Sequence, residues 1–114
     1  MKGVYILIMK LSKSRRIKIG KLGTFLFPAG KYAYVGSALN NLEKRIERHK
    51  SKNKKFHGHI DYFLKYAKIT DTFIIETKRR IECSLAEKIN GKITAEKFGS
   101  MDCRCRSHLF LLPF

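Results

Sequence analysis

Two tyrosines, an arginine, a histidine and a glutamate stand out in this chain because of where they fall. In residues 34–49, YVGSALNNLEKRIERH, a strand-like Tyr-Val-Gly-Ser runs into a helical pattern. At about 100° per residue, Leu42 and Ile46 share one stripe and Arg45 and His49 flank it, while Lys44, Glu47 and Arg48 point to water. A plain alternative for Arg45 is a guanidinium whose stem lies along the edge of the core. A second helical pattern covers 80–90, RIECSLAEKIN, with Ile81, Leu85 and Ile89 on its apolar arc. Glu82 falls inside that arc and Glu87 outside it. A carboxylate facing the interior is costly unless it is paired or holds a cation. Its plain alternative is a partly wet first-turn acid favoured by the helix dipole.

Tyr5 and Tyr34 each lie in a strand pattern, GVYILIMKL and KYAYVG. A lone strand tyrosine is usually an amphipathic core member. Two phenols with a guanidinium, an imidazole and one carboxylate make a more specific set, the one that metal-assisted phosphodiester cleavage needs. One divalent ion on the carboxylate neutralises phosphate charge and stabilises the leaving oxygen. A guanidinium takes up charge that grows in the transition state. A phenol whose pKa is lowered by surrounding cations takes a proton from water.

The elements that must position these groups occupy 114 residues, the length of one domain (1–114) with a modest core. Hydrophobic residues make up 44% of the chain, which excludes a disordered tail. Lys+Arg 25 against Asp+Glu 9 gives a formal charge of +16, so a polyanion is the expected partner: nucleic acid first, an anionic membrane surface next. No apolar run reaches transmembrane length, and the opening MKGVYILIMKLSKS reads as a strand and not as a leader. An odd cysteine count with a C-x-C pair points to a reducing cytoplasm and not to a disulfide framework.

The spacing predicts strands over 3–11, 17–20, 24–27, 31–36, 69–77 and 107–112, with 3–36 forming an antiparallel meander. Helices are predicted after Asn40 or Asn41 as N-cap, over 57–67, and over 80–90. Strands and helices mix without regular β-α-β alternation, so the fold class is α+β: a small antiparallel sheet flanked by helices, with an inserted β segment between the GVY (3–5) and YVG (34–36) tripeptides.

GVY (3–5) and YVG (34–36) resemble the two signature tripeptides of GIY-YIG nucleases, and YVGSALNNLEKRIERH is similar to that family's tyrosine turn followed by a helix with arginine and histidine one turn apart. The insert, HIDY (59–62) and the ending FGSMDCRCRSHL (98–109) resemble its stand-alone Uri-type endonuclease branch. The resemblance implies Tyr5 as base, with Tyr34 as its partner or the alternative base. It implies Arg45 as transition-state stabiliser, His49 as a hydrogen-bonding or proton-transfer group, and Glu82 as ligand of one Mg2+ or Mn2+ ion. The implied activity is a cytoplasmic endonuclease on nucleic acid, DNA before RNA, on a small antiparallel sheet flanked by helices.

Other polar groups carry weaker patterns. Cys103-x-Cys105-x-x-His108 has ligand types that zinc favours, and His57, His59, Cys83 or Asp102 could complete four. Buried small cysteines and a hydrogen-bonded histidine are the favoured reading there, with zinc second. His59 reads as a satisfied histidine at a core edge; the less favoured reading puts His59 or His108 beside the catalytic pocket. Cations cluster in the insert (Lys13, Arg15, Arg16, Lys18, Lys21) and after the first helix (Lys50, Lys52, Lys54, Lys55); with Lys44 and Arg48 they form the expected phosphate-tracking surface. Two rival functions remain: a non-catalytic nucleic-acid-binding module on the same scaffold, and a zinc-bearing interaction domain.

Overall fold

The computed structural model describes residues 2–38, 42–51, 58–79, 81–100 and 103–113. The fold is α+β. Its main sheet is antiparallel and four-stranded, in the order β5-β1-β4-β6, built from β1 (Gly3–Leu11), β4 (Gly30–Ala38), β5 (Lys68–Glu76) and β6 (Leu109–Leu111). A separate hairpin joins β2 (Arg15–Ile19) to β3 (Gly23–Phe27). The helices are α1 (Leu42–Lys50), α2 (His59–Leu64) and α3 (Glu82–Lys88). The expected N-caps Asn40 and Asn41 lie outside the described residues. Among the described residues no helix is long and apolar enough to cross a membrane.

β1 is almost continuously apolar because it is central and covered on both faces. Tyr5, Leu7, Met9 and Leu11 point into one layer, with Leu42 and Ile46 of α1, Ile60, Phe63 and Leu64 of α2, and Phe98. Val4 points into the other, against Val35, Phe110 and Ala86 of α3. The alternation of one strand therefore assigns α1 and α2 to the tyrosine face and α3 to the opposite face.

The insert differs from the expected meander. β1 pairs directly with β4, and β2 and β3 pair only with each other. Gly20 and Gly23 supply the positive φ angles, +49° and +135°, that this tight turn needs. A hairpin of that length cannot bury Ile17, Ile19 and Phe27 by itself; it does so against the first core layer, packed beside α2 and not paired into the main sheet. α2 is shorter than expected because the chain turns at Tyr66 and Ala67, whose amides both return to the Phe63 carbonyl, before β5 begins.

Candidate active site

The β1/β4 register sets Tyr5 opposite Gly36 and Leu7 opposite Tyr34. Paired residues of antiparallel strands share a face, so both phenols project into the same layer as diagonal neighbours, their ring centroids 6.5 Å apart. The insert between the two tripeptides does not disturb this pairing, which runs unbroken from Gly3↔Ala38 to Leu11↔Gly30. The glycine of YVG is explained by the tyrosine of GVY: a Cβ at Gly36 would come 2.4 Å from both Cζ and the hydroxyl oxygen of Tyr5. The Tyr5 ring lies directly on the Gly36 backbone, and any side chain there would displace it.

α1 follows β4 and returns across that layer. His49, buried on its inner stripe, places Nε2 2.7 Å from the Tyr5 hydroxyl. On its other side, His49 Nδ1 lies 3.8 Å from a carboxylate oxygen of Asp61 in α2. Asp61 is fully buried; it receives Arg48 at 2.8 Å and the Gly58 amide at 3.1 Å. A line of polar groups thus runs Tyr5–His49–Asp61–Arg48 through the core. Arg45 is exposed but close enough to the phenol to pull its pKa down by charge and hydrogen bonding; burial outweighs this, and the Tyr5 pKa is pushed up to about 12. The expected cation-lowered phenol is therefore corrected at Tyr5, because desolvation of the phenolate exceeds the help from the Arg45 and Arg48 guanidinium groups.

Sequence reasoning missed Asp61 and misplaced Arg48. Asp61 falls about 100° from Ile60, outside the arc of Phe63, Leu64 and Ala67, so the helical wheel gave no signal; the carboxylate is buried because Arg48 and His49 of α1 lie against it. Arg48, expected to face water, is half-buried and committed to Asp61. The expectation failed because the angle of Arg48 on α1 is solvent-facing only until α2 packs beside it.

Glu82 begins α3, on the opposite layer from the tyrosines. The register nevertheless brings its helix in at the same end of the sheet: Gly3 is opposite both Ala38, where β4 ends, and Glu76, where β5 ends. The Glu82 Oε2 atom is buried without a hydrogen-bond partner. An orphaned carboxylate oxygen is costly by itself and is the donor a hard divalent cation uses, so the residue fits a metal ligand.

The model of a family described as domain of unknown function DUF123 matches residues 4–113. The chain belongs to that family. The curated proteins and the solved structures gave no match.

In this DUF123 member the matched stretch includes a second polar cluster beside α3. The ligand atoms of Cys83, Cys103, Cys105 and His108 all lie within 4.8 Å of one another, a Cys3His group that could hold a metal ion. Of the possible fourth members, the fold selects Cys83; His57 and Asp102 lie outside the described residues. His59 is engaged elsewhere: Nδ1 accepts the Gly99 amide at 2.8 Å, the ring meets Phe98 edge-on, and burial pulls its pKa down. Arg15, Arg16 and Lys44 are exposed; Lys52, Lys54 and Lys55 lie outside the described residues. A cavity of about 490 Å3 beside His49 is lined by Lys10, Lys50, Lys65 and Lys68, a cationic wall not anticipated because its lysines come from four separate elements and loops.

Proposed function

We propose that this chain is a metal-dependent phosphodiesterase of the GIY-YIG type, a cytoplasmic endonuclease hydrolysing nucleic acid, DNA before RNA. The observation that carries the reading is the 2.7 Å contact between the Tyr5 hydroxyl and His49 Nε2, with Asp61 behind the imidazole and Arg45 beside the phenol.

A phenol held near pKa 12 is almost entirely protonated at neutral pH, so it works as a relay and not as a free phenolate base. Water attacks phosphorus, its proton passes to the Tyr5 oxygen, and the Tyr5 proton moves to His49 Nε2 as the P–O bond to the leaving group breaks. The tautomer required carries its proton on Nδ1, facing Asp61, which then stabilises the imidazolium. Tyr34, half-buried beside Tyr5, positions the attacking water or serves as the alternative base. Arg45, reachable from solvent, takes up charge on the phosphoryl oxygens. Glu82 would hold one Mg2+ or Mn2+ ion, which supplies charge neutralisation at the leaving oxygen. Free thiols suit a reducing compartment. The +16 charge and the lysine-lined cavity beside His49 support a polyanionic substrate, with Arg15, Arg16 and Lys44 as further contacts.

Nicking of supercoiled DNA with Mg2+ or Mn2+ tests this. Activity should disappear with chelator and fall by about 10^2-fold or more in Glu82→Ala. Binding without cleavage across labelled DNA and RNA panels, with any divalent ion, would overturn the enzyme reading in favour of a binding module.

A further inference from the structure

The Cys3His group is outside the proposed catalytic set, and its geometry is specific. His108 Nε2 is 3.7 Å from Cys83 Sγ and 3.6 Å from Cys103 Sγ. Tetrahedral zinc bound at about 2.3 Å to sulfur and about 2.0 Å to nitrogen puts those atoms roughly 3.6 Å apart, on one edge of the coordination polyhedron. The three cysteines are free thiols, and an odd number cannot pair off as disulfides. Three soft sulfurs and one imidazole match zinc and not Mg2+, which takes oxygen ligands. The four ligand atoms lie within 4.8 Å of one another, so the widest pairs must draw in by up to about 1 Å to reach the roughly 3.8 Å sulfur–sulfur edge of a zinc tetrahedron.

The ligands are also held independently of any metal. His108 is buried; its amide donates to the Phe98 carbonyl at 2.9 Å, and its own carbonyl accepts the Val35 amide at 3.0 Å. Fixed backbone on the imidazole side preorganises the ligand that is hardest to orient. Cys83, in the first turn of α3, adds a second element, and Cys103 and Cys105 a third.

We propose that Cys83, Cys103, Cys105 and His108 form a closed, structural zinc site that staples the first turn of α3 to the 103–108 segment. All four positions are filled by protein, so the ion has no open coordination site and does no chemistry on substrate. The staple joins two places that matter. Cys83 is next to Glu82, and His108 packs by Gly99, where a Cβ would meet the Tyr34 ring at 3.0 Å. The zinc therefore ties the helix carrying the proposed divalent-metal ligand to the layer carrying the phenols. That last consequence rests on the function proposed above; the zinc site does not.

Metal content of the untagged full chain, purified with zinc in the medium, reads the site directly. About one zinc per chain is expected, with tetrahedral thiolate-type absorption after cobalt replacement. Cys83→Ser and Cys105→Ser should each lose most of the zinc, and Glu82→Gln should keep it. Because the cysteine variants could fail to fold, unfolded wild type is also refolded with and without zinc; recovery of native circular dichroism should be zinc-dependent. Less than about a tenth of an equivalent of zinc after reconstitution overturns the proposal, as does iron in its place or undiminished zinc in both cysteine variants. Zinc content is independent of cleavage, so an inactive but zinc-replete protein would discredit the nuclease reading and leave the staple standing.

Discussion

Tyr5 and His49 are separated by 44 positions in the chain, yet the phenol oxygen and the imidazole Nε2 lie 2.7 Å apart in the core. The contact joins the first strand to the last turn of α1, and it connects fold to chemistry. Both groups are buried, and each is the other's hydrogen-bond partner.

Tyr5→Phe keeps the ring on Gly36 and removes only the oxygen. Cleavage should fall by about 10^2- to 10^4-fold, and His49→Ala should fall similarly. The double variant should be little worse than either single one, since both break one relay. Single-turnover rates check this; independent, multiplying losses would show that the two residues do not act together.

The Gly36 contact makes a stability prediction that needs no assay of function. Gly36→Ala should cost about 1–3 kcal/mol in urea denaturation, because the Tyr5 ring must leave its place. Tyr5→Ala in the same chain should reduce the effect of the glycine substitution to near zero. Equal costs of Gly36→Ala in both backgrounds would mean that the ring is not what excludes a side chain.

Asp61 is buried with Arg48 as its ion-pair partner. Arg48→Ala leaves the carboxylate in the core, and should destabilise by about 3 kcal/mol. Arg48→Lys should recover only part of this, since an ammonium cannot reproduce the planar fork. If Arg48→Ala melted within error of wild type while binding DNA less tightly, the arginine would be a surface contact after all.

His59 offers a pH test with a definite sign. Burial lowers its folded pKa below the ordinary 6.5, and its Nδ1 must be unprotonated to accept the Gly99 amide. The neutral form is favoured by folding, so this contribution is present above 6.5 and is lost as pH falls through the folded pKa. His59→Asn presents an acceptor oxygen that does not titrate. Between about pH 7.5 and pH 5, wild type should lose more stability than His59→Asn. Parallel losses would remove His59 as the cause.

The strands and helices were legible in the sequence because they are written in local periodicity. The β-branched and aromatic residues of 3–11 marked a strand, and Leu42 and Ile46 marked the inner stripe of α1 with Arg45 and His49 at its flanks. The inserted hairpin was legible as strands, but its detachment from the main sheet was not: pairing partners depend on which distant strand completes the core. The same division holds at the candidate site. Residue type was enough to single out Tyr5 and Tyr34 in their strands, and residue type with angle on a helix to single out Arg45, His49 and Glu82. Only the tertiary structure decided that Tyr5 lies on Gly36, that Asp61 takes Arg48 out of water, and that Cys83 is the residue that joins Cys103, Cys105 and His108. It also decided the direction of the Tyr5 pKa. Desolvation is the sum of everything packed around a group, and that sum is made by segments far apart in the chain.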